Sequence, residues 1–147
     1  MIRFFVAGLP KSMKVSGVAR FMKHGRPQMV PKRGNDAWAL LVGKIGRDHG
    51  PDRPLTGPII FTARFFLPRP KSLPRSVVLP LKRPDWDNLV HKITDQWNGV
   101  FWVDDSQIVD GHVFRRFAPN GRPGVEIVIE EFSPDQVQAE LLSARHG

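Results

Sequence analysis

The segment Arg83-Pro84-Asp85-Trp86-Asp87-Asn88-Leu89, followed at a helix-length spacing by Asp104-Asp105, concentrates carboxylates in a strongly basic chain. Aspartates grouped without cysteine or paired histidines offer hard oxygen ligands, which suit Mg²⁺, with Mn²⁺ as an alternative, better than zinc. A divalent cation held by such a group can activate water, neutralise developing charge and orient a leaving oxygen at a phosphodiester. On this reading Asp85 and Asp87 are ligands, Asp105 completes the set, and Asp104 is its neighbour. Three close carboxylates repel one another, so the cation itself would stabilise the cluster. A plainer reading stays open: an Asp at a helix start caps it or complements the helix dipole for ~1 kcal/mol, which accounts for Asp85 and Asp87 without metal. An EF-hand-like calcium loop does not fit, because Val90 stands where that loop needs glycine and no glutamate closes it.

Cations accompany the acids. Lys92 and His91 lie one turn into the same helical pattern, where a positive charge can stabilise a phosphate in its transition state or simply face solvent. Asn88 can hydrogen-bond a ligand carboxylate or support the helix entry, and Asp95, at the far end, reads as structural. Trp86, Trp97, Phe101 and Trp102 have the faces to stack on bases, but their periodicity favours core packing.

The elements that must position these groups follow from patterning. Leu89, Val90, Ile93 and Trp97 repeat at helical intervals between Asp87 and Asn98, and Asn98-Gly99 suits a left-handed C-terminal cap. Eleven helical residues carry the chain ~16 Å from Asp87. The apolar run Val100-Phe101-Trp102-Val103 reads as a strand returning at ~3.3 Å per residue. A sharp reversal at Gly99 would then bring Asp104 or Asp105 level with Asp85 and Asp87, with only one of the pair facing inward.

Elsewhere, Ile2 to Ala7 reads as a first strand, ended by Gly8-Leu9-Pro10. Ala19 to Met22 and Gln28 to Val30 form a candidate hairpin around His24-Gly25-Arg26-Pro27. Asn35 or Asp36 can cap a helix with a buried stripe of Trp38, Leu41, Val42 and Ile45, stopped by Gly50-Pro51. Pro58 to Leu67 alternates with period two and is the best strand in the chain. A proline-rich basic loop over 68–83 then carries Arg69, Lys71, Arg75, Lys82 and Arg83 up to the acids. Ile108 to Phe117 and Val125 to Phe132 read as two strands of a hairpin turned at residues 119–124. Ser133-Pro134-Asp135-Gln136 has the cap, N1 proline and N3 glutamine of a last helix. The order predicts an α+β fold, a mixed sheet with helices packed against it, in one domain over 1–147, with residues 133–147 as C-terminal helix and tail.

The 147 residues suffice for a core without disulfides, and the absence of cysteine excludes thiol chemistry. No stretch resembles a signal peptide or membrane span, which makes a cytoplasmic protein the expectation. The net charge of +8 is unevenly laid out: residues 1–84 hold seventeen Lys or Arg against three acids, the remainder five against eleven. A basic first part and an acidic second part fit a polyanion footprint beside a metal-binding site, and counterion release would make such binding salt-sensitive. Charge alone does not identify a nuclease, since a basic soluble surface has the same composition.

The run RPDWDNLVHKITDQWNGVFWVDDSQIVDG resembles the RusA family of Holliday junction resolvases, whose pattern is Pro-Asp-x-Asp-Asn-Leu, a helix ending Asn-Gly, and Asp-Asp-x-Gln-Val/Ile. The early Gly-x-Pro strand end, the Gly-Pro-begun strand ending Phe-x-x-Pro-Arg-Pro-Lys, and Pro-Gly-Val-Glu-Ile extend the likeness over most of residues 1–132. The resemblance implies a homodimeric, Mg²⁺-dependent endonuclease that introduces paired nicks in four-way DNA junctions. It implies catalytic acids at Asp85, Asp87 and Asp105, with Asp104 beside them. It further implies a role in recombination and repair at the DNA of a bacterial or phage-infected cell. Nucleases of other branched or flap DNA, and a DNA-binding module without activity, are the alternatives. Phosphate contacts are expected from Lys11, Lys14, Arg69, Lys71, Lys82, Arg83 and His91. Two departures stand out. The family's helical lysine usually lies four residues after the second aspartate, where this chain has His91, and Lys92 is rotated ~100° from that position, so either Lys92 reaches round as the catalytic helper cation or His91 takes a weaker version of that role. The N-terminal basic motif is the looser Pro10-Lys11-Ser12-Met13-Lys14.

Overall fold

A computed structural model describes residues 1–11, 18–23, 26–31 and 37–145. Lys14, the turn at His24-Gly25 and the expected caps Asn35 and Asp36 lie outside the described residues.

Among the described residues, six strands and three α-helices follow one another as β1 (Ile2–Ala7), β2 (Val18–Lys23), β3 (Arg26–Pro31), α1 (Ala37–His49), β4 (Ile59–Leu67), α2 (Trp86–Trp97), β5 (Ile108–Phe117), β6 (Gly124–Glu131) and α3 (Pro134–Ala144). The expected hairpin is present as β2 paired antiparallel with β3, Ala19 opposite Val30. The remaining strands form one mixed sheet in the order β1-β6-β4-β5, an α+β arrangement as the patterning predicts. Its β4 alternates as read from the sequence: Ile59, Phe61, Ala63, Phe65 and Leu67 are buried, and the residues between them are partly or fully exposed. Phe4 and Val6 of β1 and Val125, Ile127 and Ile129 of β6 join them on the covered face.

Two helices cover that face. Trp38 and Val42 of α1 are buried, with Leu41 and Ile45 at the margin; Leu89, Ile93 and Trp97 of α2 complete the layer. The helices approach closely because Gly43 and Gly46 leave room on α1: a Cβ at Gly46 would collide with the Trp97 indole. That indole donates its Nε1–H to Val42 O at 3.0 Å. Trp97, Phe101, Trp102 and Phe61 pack edge-on at centroid separations of 4.9 to 6.4 Å, so Trp97, Phe101 and Trp102 are core, as their periodicity predicts, whereas Trp86, expected with them, is exposed. The final helix is capped as its sequence requires, Ser133 N donating to Gln136 Oε1 at 2.9 Å and Gln136 N to Ser133 Oγ at 3.2 Å. It has no buried residue.

Two expectations about connectivity are corrected. Although β5 and β6 are consecutive strands, they do not pair as a hairpin: β4 lies between them, parallel to β5 and antiparallel to β6. The buried alternation of β4 on a two-sided register explains this, since a central position satisfies both of its backbone edges. The run Val100–Val103 is no returning strand. Gly99 adopts φ +79 and donates to Trp102 O at 2.7 Å, Phe101 N donates to Trp97 O at 3.1 Å, and Trp102 Nε1 donates to Asn98 Oδ1 at 2.8 Å. These bonds wind the segment into a tight turn under the end of α2. The unit β4-α2-β5 is therefore a parallel crossover, in which the helix returns the chain to the start of the next strand.

Candidate active site

Asp85 occupies the N-cap position of α2 with extended backbone (φ −71, ψ 145), yet its side chain makes no capping hydrogen bond. Only its carbonyl joins the helix, accepting from Leu89 N at 3.1 Å. Asp87 follows in the first turn, and both residues are exposed. The capping explanation thus fails for Asp85, whose carboxylate remains available to a ligand; Asp87 keeps a favourable position near the positive end of the helix dipole. Trp86 between them is 56% exposed, the exception among the four tryptophans.

One turn on, the two candidate cations part. Lys92 is 8% exposed, whereas His91 faces solvent. Burial, and then the charge of Lys11 beyond the end of β1, hold the Lys92 ammonium below the ordinary lysine range. The inward cation of α2 is therefore Lys92, and Lys11 joins it at the same end of the sheet.

The basic loop divides by role. Arg69 donates from Nη1 to Val77 O and from Nη2 to Pro74 O, each at 2.6 Å, and lies 5.0 Å from the Phe117 ring centroid. It staples its own loop. Lys71, Lys82 and Arg83 are exposed. Arg115 of β5 donates from Nη1 to Lys82 O at 2.9 Å and Pro84 O at 3.0 Å, tying the approach to Asp85 against the sheet.

The second acid pair is held differently. Asp104 caps a 3-10 turn at Asp105–Gln107, accepting from Ser106 N at 3.3 Å. Hydrogen bonding from the Ser106 side chain, and then from its backbone N–H, lowers the Asp104 carboxyl below the usual aspartate range. Gln107 is the clamp: its Oε1 accepts from Val103 N at 2.8 Å and Asp104 N at 3.0 Å, while its Nε2 donates to Leu55 O at 2.8 Å and Gly57 O at 3.1 Å. The spacing Asp104-x-x-Gln107 is a capping-box signature that was legible in the sequence. Arg115 carried no such signal, being thirty residues from the acid it supports.

The two acid groups do not meet within one chain. Asp85 and Asp87 stand beyond the C-terminal end of β4, next to Arg115, whereas Asp104 and Asp105 directly precede β5. Seven residues of strand separate Ile108 from Arg115, a span of roughly 23 Å. Among the described residues no three His, Asp or Glu side chains gather to hold a metal ion. The donor chemistry fits a hard divalent cation; the geometry of a single chain does not assemble the three aspartates. The reason is the crossover: α2 carries the chain away from Asp87, and the turn at 98–103 does not bring it back.

No described helix is long and apolar enough to cross a membrane. A family model described as Endodeoxyribonuclease RusA matches residues 10–130 and so spans both acid groups and the basic loop. The chain is also similar to an uncharacterised protein, YqaN, of Bacillus subtilis (strain 168). The two are 28% identical over 122 residues, covering 76% of this chain and 84% of the relative.

Proposed function

Because this chain belongs to the RusA endodeoxyribonuclease family, we propose that it resolves four-way DNA junctions by paired nicks, as a Mg²⁺-dependent homodimer acting in the cytoplasm. The observation that carries the reading is the family match over 10–130, within which Asp85 is left uncapped beside exposed Asp87. A helix-start aspartate kept only for stability would bond the helix N–H groups. This also counts against a DNA-binding module without activity.

The roles follow from placement. Asp85 and Asp87 hold Mg²⁺, or Mn²⁺ in its place, and Asp105 supplies the third carboxylate. The bound cation supplies an activated water and a counter-charge at the scissile phosphate. Lys92, one to two turns along α2, offsets negative charge that develops in the transition state. Lys11, Lys71, Lys82 and Arg83 engage phosphates around it, so binding weakens with salt.

The homodimer has a structural argument of its own. Asp105 cannot join Asp85 and Asp87 of its own chain across β5, but a two-fold axis can place Asp105 of one chain beside Asp85 and Asp87 of the other. Two such sites arise together, which suits a substrate needing two symmetric nicks.

The test compares four-way junction, flap, duplex and RNA substrates, each with Mg²⁺ and with chelator. Wild-type protein should nick the junction selectively and only with metal. Asp87→Asn should abolish nicking while junction binding by gel shift stays within about threefold, since the lost charge sits at the cation rather than at the basic surface. Equal cleavage of the flap would move the assignment to other branched DNA, and undiminished cleavage by the variant would end it.

A further inference from the structure

We infer that Arg115 is the positioning residue of the acid site: anchored on β5, its guanidinium holds the carbonyls on either side of Arg83 and thereby sets where Asp85 and Asp87 present their carboxylates. The inference rests on the acid site being a cation-dependent nuclease centre.

Both bonds leave one nitrogen, Nη1, at 2.9 Å to Lys82 O and 3.0 Å to Pro84 O. Nη1 carries two protons, so each carbonyl receives its own, and both bonds are charge-assisted. Pro80 packs into the fold, but the backbone of the segment has few hydrogen bonds of its own. Among the described residues, no backbone–backbone hydrogen bond joins residues 78–84 to the rest of the fold, and Pro80 and Pro84 carry no N–H to donate. Asp85, immediately beyond, is uncapped. The Asp85 backbone itself is tied to α2 by Leu89 N, which donates to Asp85 O at 3.1 Å.

The anchor itself is rigid. Arg115 pairs in register with Phe65, a fully buried residue of the central strand β4. The other end of β5 runs directly into the turn that Gln107 clamps to Leu55 and Gly57. One strand therefore connects both acid groups, and the Arg115 bonds fix the separation at which they are presented. A lysine keeps the charge but not the planar fork at that reach, so it substitutes incompletely.

Three measurements on wild type, Arg115→Ala and Arg115→Lys test this: amide hydrogen exchange, Tb³⁺ luminescence sensitised by Trp86, and kcat and KM for junction cleavage. In Arg115→Ala, exchange should rise at residues 82–89 while amides of β4 and β6 are unchanged. Tb³⁺ affinity and kcat should each fall about tenfold or more, as when outer partners of metal ligands are removed, with KM for the junction unchanged. Arg115→Lys should lie between in all three. Should Arg115→Ala not fold, Arg115→Lys and Arg115→Gln carry the same measurements. Wild-type exchange and Tb³⁺ affinity in the variants would overturn the inference, and a loss confined to KM would make Arg115 a phosphate contact instead. Asp87→Asn separates the two levels of argument: if it leaves Tb³⁺ luminescence intact, the acid-site reading fails, whereas exchange at 82–89 still decides whether Arg115 holds the loop.

Discussion

At the scale of single residues, Lys92 and His91 show how one position along a helix changes a side chain's work. The rotation of ~100° per residue puts neighbours on different faces, and here it buries Lys92 and exposes His91. The lowered proton affinity of Lys92, caused by burial and then by Lys11, has a definite sign. Between its folded value and the ordinary 10.5 the unfolded chain binds more protons, so stability rises with pH across that window and the buried charge is most costly below it. Activity should move the other way, because only the ammonium offsets developing charge. Single-turnover cleavage should therefore decline at alkaline pH below the ordinary lysine range, and Lys92→Arg should carry that decline to higher pH, since guanidinium stays charged. Coincident alkaline limbs in the two proteins would remove Lys92 from the chemistry. The same scale explains Arg69, expected from sequence as a phosphate contact but engaged with Val77 O, Pro74 O and the Phe117 ring. A sequence shows that an arginine is present; the carbonyls within its reach are chosen by the folded loop.

At the scale of elements, the short 3-10 turn at Asp105–Gln107 is held by one side chain. Gln107 satisfies two donors and two acceptors at once, so Gln107→Leu leaves four backbone groups to find water or remain unpaired. We expect a loss of about 1–3 kcal/mol in urea unfolding, with nicking reduced more than junction binding. Full activity in that variant would show that the turn needs no clamp. Elements whose signal is local were legible in the sequence. The alternation of Pro58 to Leu67, the stripe of α2 and the Ser133–Gln136 cap all depend on neighbours within one turn or one strand. The run Val100–Val103 was not: its composition suits a strand, but hydrogen bonds to Trp97 and Asn98 and the burial of Phe101 and Trp102 against Phe4 and Phe61 fold it into a turn. Tertiary packing of two aromatics outweighed a weak local preference.

At the scale of the whole molecule, the parallel crossover β4-α2-β5 places the acid groups at opposite ends of β5. A site shared between two chains makes a distinctive prediction. Asp87→Asn and Asp105→Asn should each be inactive alone, yet a mixture allowed to exchange subunits should regain cleavage. In the mixed dimer one site collects both substitutions and the other none. Because a single intact site remains, the product should be a singly nicked junction rather than a resolved one. Continued inactivity of a mixture shown to contain mixed dimers would mean that each chain assembles its own site. The inventory was readable from residue order: the aspartates, the basic approach to them, the helices and most strands, and the family pattern that joins them. Each of these is written in residue types at short spacing. Long-range packing set the rest: β4 separates β5 from β6, Arg115 reaches Lys82 and Pro84, and Asp105 stands a strand's length from Asp87. Those outcomes depend on which strand edges pair and which way a crossover returns, and such choices are settled by burial of the sheet as a whole rather than by any segment within it.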